Sequence, residues 1–365
     1  MKTNLGFESE ICPENAYYRE ARDRVFDIFG LLCPRKLDHY RRVPEDVAAA
    51  TSTSVAALSS NTAGGRLRFS TDSEYIAIYA EMPSMADMSH FARTGSSAFD
   101  IYVKCGAKYV YHDTFMPTLG DHYEAISRFK VPGMKDVMLH FPTYSDVKNL
   151  YIGVAEGSRI EHSAPYRYLK PVVYYGSSIT QGACASRPGN AYEAIISNDL
   201  DCDFINLGFS GSALAEEAIT DYINSLDMSV FVMDYDHNAP NPEHLERTHE
   251  AFFKKIRASH PDLPVIMISR PTFEEGYGGP HAYGISVIPP ENEMLRCREV
   301  VFRTYMNAVN AGDRSVYFID GASLFNGPHA DLCTVDGVHP NDAGFLRMAD
   351  RIGSFVSAAL PEDPA

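Results

Sequence analysis

From Val172 onward the chain alternates short, fully apolar runs with stretches of helical period, and that alternation confines its second half to one class of fold. The apolar runs cover residues 172–175, 204–207, 230–234, 264–269 and 315–319. Between them, Leu214, Ala218, Ile219, Tyr222, Ile223 and Leu226 share one helical face, and Leu245, Phe252, Phe253 and Ile256 share another. Strands that are apolar on both faces and joined by helices predict an α/β architecture of three layers, a parallel sheet covered on both sides.

Before residue 160 the rhythm is different. Residues 66–70 and 74–80 alternate with period two, and further strand candidates follow at 99–104, 108–112, 124–129, 136–140 and 150–154, separated by turn residues with no helical period between them. That spacing predicts an antiparallel β-sandwich of jelly-roll type. A helix is expected over 16–29, and the polar, proline-bearing stretch 159–171 reads as a linker. The expected division is residues 1–162 for the sandwich and 163–365 for the α/β domain.

A formal charge of −16 and a pI near 5.2 argue against a nucleic-acid partner or an anionic membrane surface, since both favour a basic face. No stretch approaches the length of a membrane span and the amino terminus lacks a signal-peptide core, so the expected location is cytoplasmic. Seven cysteines without a CxxC pair are expected to be reduced. No grouping of His, Cys and carboxylates has metal-ligand spacing, so neither metal nor cofactor is expected. A homo-oligomer is compatible with the sequence.

In open α/β sheets ligands sit beyond the carboxyl ends of the strands. There the first strand runs into Gly176-Ser177-Ser178-Ile179-Thr180, the second into Asn206-Leu207-Gly208-Phe209-Ser210-Gly211-Ser212, the third into Asp234-Tyr235-Asp236-His237-Asn238, and the fifth is followed by Asp336-Gly337-Val338-His339. Ser178 is a candidate nucleophile, because a serine in a strand-to-helix turn has helix N–H groups beside it. Each feature taken alone also has a local reading: Ser178 as a helix cap, Gly211 as a positive-φ glycine, Asn238 as a turn former before Pro240, and the Asp336/His339 pair as a cap for a helix beginning near Asn341.

In this order the blocks resemble the GDSL, or SGNH, family of serine hydrolases, whose catalytic domain is a three-layer, flavodoxin-like α/β fold. The resemblance implies that Ser178 is the nucleophile, that Asp336 and His339 complete its triad, and that Gly211 and Asn238 join the Ser178 N–H in an oxyanion hole. Ser177 stands where the family usually has Asp. The chemistry is coherent: a serine hydroxyl requires a base such as histidine, a carboxylate fixes the imidazole tautomer, and a neutral amide can donate to an oxyanion that a carboxylate would repel.

Ser97-Ala98-Phe99-Asp100-Ile101-Tyr102 resembles the Gly-x-Asp-Leu-Tyr motif of a β-sandwich domain that precedes some of these hydrolases, with Ser97 in place of the glycine. Relatives so arranged resemble carbohydrate acetyl esterases, which implies an acetylated oligosaccharide substrate, such as a mannan or xylan fragment, and a sandwich that contacts the sugar. His237, Tyr277, His281 and Tyr283 are candidate substrate-binding residues, while His249 reads as a core histidine. A lipase or thioesterase with the same triad, and a non-catalytic glycan-binding protein on a hydrolase scaffold, are the alternatives.

Overall fold

The computed structural model describes residues 2–11, 13–272 and 291–362. Their two compact units are Met1–Pro44 with Ser59–Tyr166 and Ser186–Gly189, and Glu45–Leu58 with Arg167–Ala185 and Asn190–Ala365. A single cut at 162/163 does not describe this division, because residues 45–58 pack with the second unit and 186–189 with the first.

The first unit holds β1 (Ala16–Glu20), β2 (Asp27–Phe29), β3 (Arg66–Thr71), β4 (Tyr75–Glu81), β5 (Phe99–Cys105), β6 (Lys108–Phe115), β7 (His122–Arg128), β8 (Lys135–His140), β9 (Asn149–Ala155) and β10 (Ile160–Glu161). Two antiparallel sheets result, ordered β1-β9-β4-β7 and β10-β3-β8-β5-β6, with β2 also on β3. Alternate residues from both meet in one core: Leu67 and Phe69, Ile76 and Ile78, Phe99 and Ile101, Val137 and Leu139, Leu150 and Ile152. This is the period-two pattern of the sequence expressed as a buried layer.

Two local expectations fail here. Residues 16–29 form β1 and β2 rather than a helix, because Ala16–Glu20 pairs with β9, Tyr18 opposite Gly153, and long-range pairing overrides local propensity. The Asn4 side chain both accepts from the Tyr18 N–H and donates to its carbonyl, covering the outer edge of β1. The stretch 159–171 is not merely a linker: Ile160 and Glu161 pair with β3, and Tyr168 begins the next strand.

The second unit contains β11 (Tyr168–Gly176), β12 (Cys202–Gly208), β13 (Val230–Asp234), β14 (Val265–Ile268) and β15 (Val316–Ile319), all parallel, in the order β12-β11-β13-β14-β15. Successive residues of β11 face opposite layers. Tyr174 packs edge-on against Tyr192, from the helix Tyr192–Leu200, whereas Tyr175 packs against Phe252, from the helix Pro242–Ser259. The helix Asp342–Ala359 packs on the first of these helices and Glu291–Asn310 on the second, which completes the three layers. The helix expected from Leu214 begins only at Glu217. His249 is a core residue as its helix face suggested, bonded through Nδ1 to Thr304 at 3.0 Å. The strand order reverses across β11, so the loop after β11 opens at the switch point of the sheet.

Candidate active site

β11 ends at Gly176 because nothing larger fits there: a β-carbon would stand 2.1 Å from Thr180 Oγ1 and 2.5 Å from the Asp234 carbonyl. Ser177 then caps the short helix Ser178–Gln181, its Oγ accepting from the Ile179 N–H at 3.2 Å. The structure thus gives Ser177 a capping role in local geometry, one that an aspartate would fill with added charge.

The β12 loop is stitched onto this helix. Asn206 donates through Nδ2 to the Thr180 carbonyl at 2.5 Å and accepts from the Gly208 N–H at 2.9 Å, while the Ser210 N–H donates to Gln181 Oε1 at 3.0 Å. A β-carbon at Gly208 would lie 2.2 Å from the Gln181 nitrogen, so the close approach requires glycine. These bonds carry the loop to Gly211, which has φ 66° and open space where a side chain would stand. Among the described residues the Gly211 N–H has no acceptor. Beyond it, the Ala215 N–H donates to the Tyr175 hydroxyl at 2.9 Å, tying the loop back to β11.

After β13 the chain turns through Asp236–Asn238. Asn238 Oδ1 accepts from the Ala213 N–H at 3.1 Å, which fixes the amide's orientation and leaves its NH2 as the end able to meet a ligand. A buried pair braces this turn: the Arg270 N–H donates to Asp236 Oδ2 at 2.6 Å, and Arg270 Nη2 donates to the carbonyls of Asp236 and His237 at 3.0 and 3.3 Å. His237 Nε2 is sealed from solvent without a partner among the described residues. Burial, and then the charges of Arg270 and His339, hold its ring well below the ordinary histidine range, so it stays neutral.

Ser178 Oγ lies 2.9 Å from His339 Nε2, and His339 Nδ1 lies 2.7 Å from Asp336 Oδ2. Asp336 Oδ1 also accepts the backbone N–H groups of His339 and Val338, at 2.7 and 3.0 Å. Burial pushes the Asp336 carboxyl up, but these hydrogen bonds outweigh it and hold the group well below the usual carboxylate range. An ionised Asp336 can only accept, so the ring proton sits on Nδ1 and Nε2 offers its lone pair to Ser178. Thr334 shapes the loop, accepting from the Asp336 and Gly337 N–H groups and donating to the His339 carbonyl. The helix that follows is capped by Asn341, whose Oδ1 accepts from Ala343 and Gly344. The alternative in which Asp336 and His339 serve as that cap is therefore not what the structure has.

Tyr277, His281 and Tyr283 lie outside the described residues. Sequence reasoning passed over Tyr175, Asp236 and Arg270, which brace the site from strand ends. Burial, followed by the Asp336 charge, pushes the Cys184 thiol up to about 12, which disfavours its thiolate. Asp234, buried at the end of β13, accepts from Thr180 and Tyr192, and burial pushes its carboxyl up to about 7. An acid whose folded pKa is raised holds protons that the unfolded chain has lost, so stability falls as pH rises from about 4 to about 7. Asp234→Asn should flatten that decline in thermal midpoints measured from pH 4.5 to 8.

A serine, an imidazole and a carboxylate in hydrogen-bonded sequence at the switch point of a parallel sheet, with N–H donors beside the serine, define the serine-hydrolase class of α/β protein. Residues 169–357 match the GDSL-like lipase/acylhydrolase family, to which the chain belongs, and residues 16–160 match the amino-terminal domain of SGNH-hydrolase-type esterases. A structure described as a GDSL-like lipase from Bacteroides ovatus superposes with a TM-score of 0.83 at 28% identity, over 94% of this chain and 98% of that one. A salicylyl-acyltransferase from a tetracycline biosynthetic pathway has a TM-score of 0.74 at 18% identity, over 95% and 98%. A family two carbohydrate esterase from Cellvibrio japonicus has a TM-score of 0.61 at 11% identity, over 94% and 98%. Among curated proteins, none matches this sequence. No described helix is long and apolar enough to cross a membrane.

Proposed function

We propose that this protein is a serine esterase that removes O-acetyl groups from carbohydrates, with Ser178 as nucleophile, His339 as general base and then acid, and Asp336 as its orienting carboxylate. The observation that carries the reading is the unbroken path from Ser178 Oγ through both ring nitrogens of His339 to Asp336. His339 takes the Ser178 proton as Oγ attacks the acetyl carbonyl. The tetrahedral oxyanion is held by the N–H groups of Ser178 and Gly211 and by the Asn238 NH2. Collapse expels the sugar hydroxyl, which leaves with the proton from His339. Water, deprotonated by the same ring, then attacks acetyl-Ser178 and releases acetate.

Carbohydrate as the leaving group is supported by the resemblance of the motifs and by a fold shared with family two carbohydrate esterases. A longer acyl chain is the second reading, favoured by the likeness to the Bacteroides ovatus structure described as a lipase. Acetylated xylan, mannan and pectin oligosaccharides, each followed by mass spectrometry and set beside acetyl and octanoyl esters of one phenol, separate the two. Acetate release from at least one glycan with acetyl preferred over octanoyl is expected; preference for octanoyl with intact glycans would overturn the carbohydrate assignment.

Asn238→Ala should lower kcat about 10²- to 10³-fold with KM within a factor of about two, since an oxyanion donor acts in the transition state. Steady-state kinetics on a soluble acetyl ester check it.

A further inference from the structure

The stretch Ser97–Tyr102 is not used by the chemistry above, yet its surroundings are specific. Phe99 and Ile101 point into the sandwich core, so Asp100 and Tyr102 lie on the opposite face of β5. That face would ordinarily be wet. Here Asp100 is fully buried and Tyr102 and His140 nearly so, His140 Nδ1 lies 3.4 Å from Asp100 Oδ1, and the Tyr102 and His140 rings stack at 5.0 Å.

What covers Asp100 and Tyr102 is residues 186–189, which belong to the sandwich unit although both flanking segments belong to the other. The Gly189 N–H donates to Asp100 Oδ2 at 2.9 Å, Arg187 Nε donates to the Tyr102 hydroxyl at 3.3 Å, and Thr94 Oγ1 donates to the Ser186 carbonyl at 2.6 Å. The Arg187 guanidinium lies over the Tyr111 ring at 4.0 Å. At Gly189 a β-carbon would stand 2.3 Å from the Tyr102 hydroxyl, so the two surfaces fit only with glycine.

We propose that Asp100 and Tyr102 form a latch for residues 186–189, and that through this short run of chain they act as positioning residues for Ser178. The path is brief. The helix Ser178–Gln181 is closed by Gly182, the Ala183 N–H donates to the Ser178 carbonyl at 2.9 Å, and Ala185 bonds back to Gly182 at 3.3 Å. Cys184, in this link, has φ 71°, in the left-handed region that non-glycine residues adopt infrequently. Ser97, standing where the motif usually has glycine, is accommodated by bonds to the Ala86 carbonyl and Ser145 Oγ. Asp100 Oδ2 accepts the Gly189 N–H, and the amide oxygen of an asparagine has the same reach, so Asp100→Asn retains an acceptor there.

The test uses the full chain. Asp100→Ala removes the acceptor, Asp100→Asn retains it, and Gly189→Ala breaks the fit from the other side. Amide exchange of Gly189, labelling of Ser178 by a fluorophosphonate, and kcat and KM on an acetyl ester are read for each. In Asp100→Ala and Gly189→Ala we expect exchange around residue 189 to rise about 10²-fold, with labelling and kcat falling at least about tenfold at nearly unchanged KM. Asp100→Asn should stay within about threefold of the parent. Continued protection of Gly189 in Asp100→Ala overturns the latch, as do a freed Gly189 with unaltered Ser178 labelling and an Asp100→Asn as impaired as Asp100→Ala. If Asp100→Ala does not fold, Gly189→Ala against Asp100→Asn decides. The inference rests on the esterase reading only for its kinetic arm: a parent inactive on every ester would contradict that reading, and exchange with labelling would still judge the latch.

Discussion

Ser178→Ala should leave the fold intact and lower ester turnover about 10⁵- to 10⁶-fold, the scale at which a nucleophile acting with its base as a unit is lost. The side chain is small and the site already braced, by Asn206 on Thr180 and by Asp336 on the His339 loop, so removing one hydroxyl takes no packing away. Thermal midpoints of variant and parent should agree within a few degrees. Adding His339→Ala should cost little more, because a base without its nucleophile has nothing to activate. Single-turnover and steady-state rates, normalised to folded protein, check both statements.

Asp336→Asn should follow at about 10⁴-fold in kcat. One oxygen of the carboxylate receives two backbone N–H groups and the other the ring N–H. An amide has a single acceptor oxygen. If that oxygen keeps the backbone bonds, the NH2 faces the ring and forces the tautomer in which Nε2 carries the hydrogen, and His339 can then no longer accept the Ser178 proton. The same substitution alters acid stability. The folded carboxyl titrates well below its ordinary value of 3.8, so its stabilisation is in place above that pH and is lost as pH falls below it. Asp336→Asn should therefore be less stable at neutral pH and lose less on acidification, as denaturant unfolding at pH 7 and pH 3 will show.

Much of this architecture was legible because the relevant signals are local. Core strands announce themselves by composition, as in Val172–Tyr175, and sandwich strands by alternation, as in β3 and β4. The polar loops at strand ends could be found because an α/β sheet dictates where to look. What escaped was set by partners distant in sequence. β1 takes its form from β9, more than a hundred residues away, so Ala16–Glu20 looked helical when read alone. Asp236 and Arg270 meet only because β13 and β14 are neighbours, and neither announces in sequence that it will be buried. Nothing local in residues 186–189 says that Gly189 must fit under Tyr102. Ser177, standing where the family usually has Asp, accepts the Ile179 N–H as any capping side chain could.

The central claim is that an acyl group passes through Ser178. The most direct measurement mixes the protein with an activated acetyl ester, quenches within the first turnover and determines the mass of the intact chain and of its peptides. One acetyl group on the peptide containing Ser178, gone after longer incubation and missing in Ser178→Ala, is the predicted result. Ester cleavage with no acetyl adduct on Ser178, or with an adduct on another residue, would contradict the account.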